Sequence, residues 1–226
     1  MSGSAFTSLA EIQPEPVQWL WEGRIPLGKL TLLEGEPGVG KSSLTLELAA
    51  RVSRGAPMPL VKTHSEPANV VIFSADDGLA DTVRPRLDAA GADLTRIFAI
   101  DGLIDEAELI KLRPALVIID PLDGYIELSE GLDPVEVLRK LGDLAEASGA
   151  AILAIHCVNE GMHDDKAHAF HGTPRTVLYL TPIGHGGRRL ALAKSNLRHF
   201  PDVHPLVYYI DDQAGQPRIV NWADGR

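Results

Sequence analysis

The chain has 226 residues, 45% of them hydrophobic and 23% charged, a balance that suits one well-buried α/β domain and is short for two. No run approaches the roughly 18 to 20 consecutive apolar residues of a membrane span, and the N-terminus has neither a basic start nor an apolar stretch, which argues against a secretory signal. A single cysteine, Cys157, excludes an internal disulfide, and the formal charge of −10 argues against a surface that is wholly a nucleic-acid footprint.

Residues 1 to 16 are polar with prolines at 14 and 16 and read as a flexible tail; residues 17 to 226 are read as a single domain. Trp19 and Trp21 lie just before the first strand, where packing on the domain edge and a subunit contact are both open readings. Strand and helix then alternate. Lys29 to Leu33 is a buried strand by pattern, followed by Glu34-Gly35 and a helix from Lys41 to about Arg51, with Leu44, Leu48 and Val52 on one face. Val70 to Phe73 is a second strand. The next helix buries Val83, Leu87 and Ala90, which requires Pro85 to lie in its first turn. Ile97 to Ile100 is a third strand and Leu116 to Asp120 a fourth. Asp133, Pro134 and Glu136 form a helix start of the capping-box type, ahead of an apolar face of Val137, Leu138, Leu141, Leu144 and Ala145. Ala151 to His156 is another buried strand. Past residue 174 the helical period disappears, and Thr176 to Leu180, Leu190 to Ala193 and Val207 to Ile210 read as consecutive strands.

Gly35-Glu36-Pro37-Gly38-Val39-Gly40-Lys41-Ser42 matches the phosphate-loop pattern at every fixed position, between a strand and a helix as the chemistry requires. Gly38 and Gly40 let successive backbone N–H groups face one anion, and the start of the helix adds its positive end. Lys41 reaches the β- and γ-phosphates, Ser42 supplies a Mg²⁺ ligand, and Ser43 faces the α-phosphate. ATP and Mg²⁺ are the ligands expected. Asp120, ending a buried strand, is the second Mg²⁺ anchor. Asp76 and Asp77 follow the second strand and are candidates for orienting or deprotonating the attacking water. His156 is a candidate sensor of the γ-phosphate. His163, His168 and His171 share a loop with Asp164 and Asp165, but their spacing matches no metal-site pattern. A small-molecule phosphotransferase is disfavoured, because no arginine-rich lid segment precedes residue 175.

Trp19 to Lys29, the phosphate loop, Ser74-Ala75-Asp76-Asp77, Ile119-Asp120-Pro121 and Ile155-His156 occur in an order that resembles the RecA-like P-loop ATPases of the AAA_25 type. That group includes small hexameric RepA replicative helicases. The resemblance covers residues 17 to 222. It implies an α/β fold: a RecA-like core, its largely parallel sheet flanked by helices, with an antiparallel C-terminal β extension. It also implies a homo-oligomeric ring, usually of six, with ATP at subunit boundaries and single-stranded DNA as partner; the lack of a signal or membrane span and the single cysteine suggest the cytoplasm. The family's catalytic carboxylate falls on Asp76 and its sensor on His156. Lys194, in a family Lys-x-Asn stretch, and Arg198 are the expected trans-acting cations. Three features depart from the family. Asp76 stands where Glu is usual, which predicts slow hydrolysis or participation by Asp77. His156-Cys157 replaces His-His, with Glu160 where the family carries a cation. The loop from Asn159 to Thr173 is shortened and acidic, which weakens the expectation of DNA translocation. The competing expectation is a slow nucleotide-binding assembly or regulatory protein whose oligomeric state is set by ATP.

Overall fold

The structure, a computed structural model, describes residues 7–158, 170–197, 203–213 and 216–225. Its chain order is β1 (Trp19–Trp21), β2 (Ile25–Pro26), β3 (Leu30–Gly35), α1 (Lys41–Arg54), β4 (Val70–Ser74), α2 (Arg84–Ala89), β5 (Ile97–Ile100), α3 (Glu106–Leu112), β6 (Leu116–Asp120), α4 (Leu122–Leu128), α5 (Pro134–Ser148), β7 (Ala151–Cys157), β8 (Thr176–Ile183), β9 (Gly187–Ser195), β10 (Leu206–Gln213) and β11 (Gln216–Asp224). β1 and β2 form a small antiparallel pair. The other nine strands form one sheet in the order β11-β10-β9-β8-β3-β7-β6-β4-β5. From β8 to β5 every neighbour is parallel, and from β8 to β11 every neighbour is antiparallel. This is the RecA-like α/β architecture with its C-terminal extension.

The inner parallel strands β3, β7, β6 and β4 are buried on both faces, which is why their sequences read as apolar runs, whereas the edge strand β5 leaves Phe98 and Ala99 exposed. Leu33, Ile72, Ile118 and Ile155 face α1 and α2. Leu32, Phe73, Ile119 and Ala154 face α3, α4 and α5. The antiparallel strands send Leu190, Leu206, Tyr208 and Trp222 into the α1 side, so the extension folds over the helix that begins at the phosphate loop.

Local chemistry explains the element ends. α1 runs three residues past Arg51 and stops at Gly55, in the left-handed conformation. α5 begins with the capping box of Asp133 and Glu136. Pro85 does lie in the first turn of α2. A π-helical turn, Leu79–Val83, precedes it and takes up the extra length between Asp77 and the helix. Trp19-Leu20-Trp21 is itself a strand. Trp21 is fully buried, edge-on to Trp222 at 6.0 Å between ring centres, and Arg24 lies over its face at 5.2 Å.

Among the described residues, no helix is long and apolar enough to cross a membrane.

Candidate functional site: a phosphate-loop cleft at the strand ends

Four parallel strands end on the same side of the sheet, β3 in Gly35, β4 in Ser74, β6 in Asp120 and β7 in Cys157. The crevice outside these carboxyl ends is where open α/β sheets hold ligands. Here it is a cleft of about 370 Å³ lined by Pro37, Gly38, Gly40, Lys41, Ser42, Ser43, Ser74, Asp76, Asp77, Arg86, Asp120, Pro121, Ile155 and Cys157. A cavity of similar size, about 390 Å³, lies away from it between α3, α4 and α5 around Leu103, Tyr125 and Leu141. Only the first gathers a phosphate loop, carboxylates and cations, so the chemistry belongs there.

The loop is held by its own chain. Lys41 is buried, and its Nζ donates to the Gly35 carbonyl at 2.7 Å and the Glu36 carbonyl at 2.8 Å. Gly40 has φ +99°, which favours glycine, and a Cβ there would lie 2.7 Å from Cδ1 of Ile210 on β10. The Arg188 guanidinium, on β9, donates to the Val39 carbonyl. The antiparallel extension thus seats the loop from behind.

Asp120 takes its place by strand pairing. It lies opposite Ser74 on β4, and its carbonyl accepts the Ala75 N–H at 3.0 Å. That bond brings Asp76 and Asp77 beside it. Gly124, in the helix after Asp120, permits this approach, since a Cβ there would lie 2.8 Å from the Ala75 side chain. Burial, with Asp77 and Asp76 adding to it, pushes the Asp120 carboxyl up to about 6, against the opposing hydrogen bond from Ser42 and the charge of Lys41. A hydroxyl and a half-buried carboxylate already joined by a hydrogen bond are a donor set that fits a hard divalent cation. Ser42 and Asp120 would hold Mg²⁺. Among the described residues no group of three or more His, Cys, Asp or Glu side chains is arranged for a metal.

The two carboxylates after β4 differ. Asp77 pairs with Arg86 of α2, with 3.0 Å between Oδ2 and the guanidinium nitrogen, and its carbonyl accepts the Ser74 hydroxyl. Asp76 is exposed in the cleft mouth.

The structure places the remaining sequence candidates elsewhere. His156 sits between the cleft-lining Ile155 and Cys157 and by alternation faces the other side of the sheet. There its Nδ1 lies 3.2 Å from Glu34 and its ring stacks on Phe170 at 4.4 Å. Cys157 holds the cleft-facing position at the end of that strand. Lys194 is outside the cleft, donating to the carbonyls of His171 and, at 3.0 Å, Pro174. Its ammonium is pulled below its usual range by partial burial and by Arg175. Glu160, His163, Asp164, Asp165, His168 and Arg198 lie outside the described residues.

Three contributors escaped the sequence reading. Arg86 is nine positions from Asp77, a separation that no local rule pairs. Arg188 lies 149 positions from Val39, with no local motif to link them. Glu34 did carry a signal, a carboxylate ending an apolar strand run, since a buried charge needs partners.

Comparison with known proteins bears on the same residues. A family model described as AAA domain, AAA_25, matches residues 3–161. The DNA repair protein RadA of Mycobacterium tuberculosis, strains CDC 1551 / Oshkosh and ATCC 25618 / H37Rv, is 36% identical over 99 residues, which is 43% of this chain and 19% of the relative. The DNA repair protein RadA of Mycolicibacterium smegmatis, strain ATCC 700084 / mc(2)155, is 27% identical over 207 residues, 90% of this chain and 38% of the relative. The chain therefore spans well under half the length of the relatives it matches.

Proposed function

We propose that this chain, which belongs to the AAA_25 family of AAA domains, binds Mg·ATP in the cleft at the strand ends and hydrolyses it as a ring-forming motor that acts on single-stranded DNA. The observation that carries the reading is the convergence of Lys41, Ser42, Asp120 and Asp76 on one cleft of about 370 Å³.

The residues divide the work. Backbone N–H groups from Gly38 to Ser43 wrap the β-phosphate at the head of α1. Lys41 exchanges its two loop carbonyls for β- and γ-phosphate oxygens. Ser42 and Asp120 would hold Mg²⁺, which would supply positive charge to the phosphates when bound. Asp76 accepts the proton of the attacking water, or orients that water in line with the γ-phosphate. Asp77, engaged by Arg86, is the less free of the two carboxylates. Lys194 acts in trans on the nucleotide of the neighbouring subunit. The DNA link is supported by the RadA relatives, which are named as DNA repair proteins. A hexameric ring of the RepA helicase kind is the form of assembly we favour.

A second reading is supported by two features of the site. The short side chain of Asp76 stands where the family usually carries Glu, and Lys194 is tied to its own backbone. Both suit a slow nucleotide switch that sets oligomeric state.

The test is ATP hydrolysis with and without single-stranded DNA, in the native chain and in Lys41→Ala. DNA-stimulated turnover that Lys41→Ala abolishes supports the motor. Hydrolysis indifferent to DNA, together with a change of molecular size on adding ATP, supports the switch. No ATP binding by the native chain would sink both.

A further inference from the structure

Two charged side chains are buried among the described residues, Lys41 and Glu34. Lys41 belongs to the phosphate loop. Glu34 precedes that loop by one residue, yet strand alternation turns its side chain to the face opposite Lys41, below α5. A carboxylate in such a place is strongly unfavourable without partners, and Glu34 has two. His156, directly across on β7, donates from Nδ1 to Oε1 at 3.2 Å. His171 donates from Nε2, 3.0 Å from Oε1 and 2.9 Å from Oε2. Burial alone would raise the Glu34 carboxyl, but these two hydrogen bonds and the charges behind them outweigh it and hold it below its ordinary value.

The same residues reach Lys194. β8 and β9 pair Val177 with Lys194 but Leu178 with Leu192, so Ala193 is an extra residue in the ladder. Without this bulge Lys194 would share the α1-facing side with Leu190 and Leu192. With it, Lys194 lies opposite Val177, whose side chain faces α5, and so comes to the side of the sheet that holds Glu34. There the His171 carbonyl accepts its ammonium. One continuous chain of contacts therefore runs from Lys41 through the Gly35 carbonyl to the Glu34 backbone, then through the Glu34 carboxylate to His171 and on to Lys194.

We propose that Glu34 is a positioning residue that couples the phosphate loop to Lys194, so that the site holding a subunit's own nucleotide and the lysine turned to its neighbour move as one unit. This rests on the reading of the chain as a ring ATPase in which Lys194 acts in trans.

The experiment is a double-mutant cycle on steady-state ATP hydrolysis by the full chain, with Glu34→Gln and Lys194→Ala, and with melting curves as a check on folding. His171→Gln runs in parallel; this side chain is 35% exposed and tolerates change better than Glu34 if Glu34→Gln does not fold. Lys194→Ala is expected to lower kcat by roughly 100-fold. Glu34→Gln and His171→Gln are expected to lower it by about tenfold, with KM within about threefold of native. The decisive result is that Glu34→Gln/Lys194→Ala, or His171→Gln/Lys194→Ala, falls no lower than Lys194→Ala alone, because residues acting through one another are not additive. Multiplicative losses, or native kcat in Lys194→Ala, would overturn the coupling while leaving the ATPase standing. No turnover by the native chain would overturn both.

Discussion

Asp77 and Arg86 face one another across the mouth of the phosphate cleft, with Oδ2 3.0 Å from the guanidinium nitrogen, while Asp76 beside them makes no ion pair among the described residues. The two neighbouring carboxylates therefore have different surroundings. Asp76→Asn is expected to lower the rate of phosphate release by about 100-fold or more, and Asp77→Asn by less than about tenfold. Asp76→Glu restores the usual length of the family side chain and is expected to raise the rate. Equal losses in the two Asn variants would show that the Arg86 pair does not separate them.

Asp120 carries a cost that can be measured. Its folded pKa, about 6, lies above the ordinary 3.8. The folded state therefore binds the proton more tightly than the unfolded chain does. The resulting loss of stability is absent below about pH 4, grows as the pH rises, and is complete above about pH 6. In a chelating buffer near neutrality Asp120→Asn is expected to be more stable than the native chain by on the order of 1–3 kcal/mol, an advantage that fades toward pH 4. The same variant is expected to lose the stabilisation that Mg·ATP gives the native chain. Thermal melting across pH, with and without Mg·ATP, reads both effects.

Gly40 meets two demands at once, a φ of +99° and the methyl end of Ile210 where a Cβ would stand. Gly40→Ala is expected to cost about 1–3 kcal/mol of stability and to weaken ATP binding together with it. Arg188→Ala removes the donor to Val39, along with local donors to the Gly186 and Gly187 carbonyls in its own turn, and is expected to weaken ATP binding with little change in melting temperature. Isothermal titration beside melting curves separates the two.

Trp21 is fully buried against Trp222, and its indole N–H has no hydrogen-bond partner among the described residues. Its contribution is therefore packing rather than polarity. Trp21→Ala is expected to cost about 3–5 kcal/mol, and Trp21→Phe, which loses no hydrogen bond, clearly less. Urea titration followed by circular dichroism checks the order.

The elements that build the cleft were legible because their signals are local. A phosphate loop is a run of eight residues whose glycines and lysine act within one turn, and the strands around it are apolar on both faces. The starts of α1 and α5 were announced by the loop and by the Asp133 cap. The weaker elements were not. α3 is only about two turns long behind the cap of Asp105, and no long apolar period marks it. α4 follows directly on Asp120-Pro121, and it contains Gly124, a poor helix former whose use appears only when its distance to Ala75 is known. β11 depends on pairing with β10, and nothing within its own residues settles that partner.

Side-chain direction separates what the chain alone determines from what folding adds. From its sequence this protein is a phosphate-loop α/β chain with Lys41, Ser42, Asp120 and Asp76 as candidate site residues, because each follows a strand or opens a helix that its neighbours specify. The partner each side chain meets was decided by tertiary structure alone. His156 turns to Glu34 because strand residues alternate and the cleft takes Ile155 and Cys157. Lys194 comes to the Glu34 side because a bulge at Ala193 shifts the register. Arg86 reaches Asp77, and Arg188 reaches Val39, across gaps of nine and 149 residues. Such contacts depend on which strands lie side by side and which face of each is turned inward, and that is set by packing the whole sheet at once.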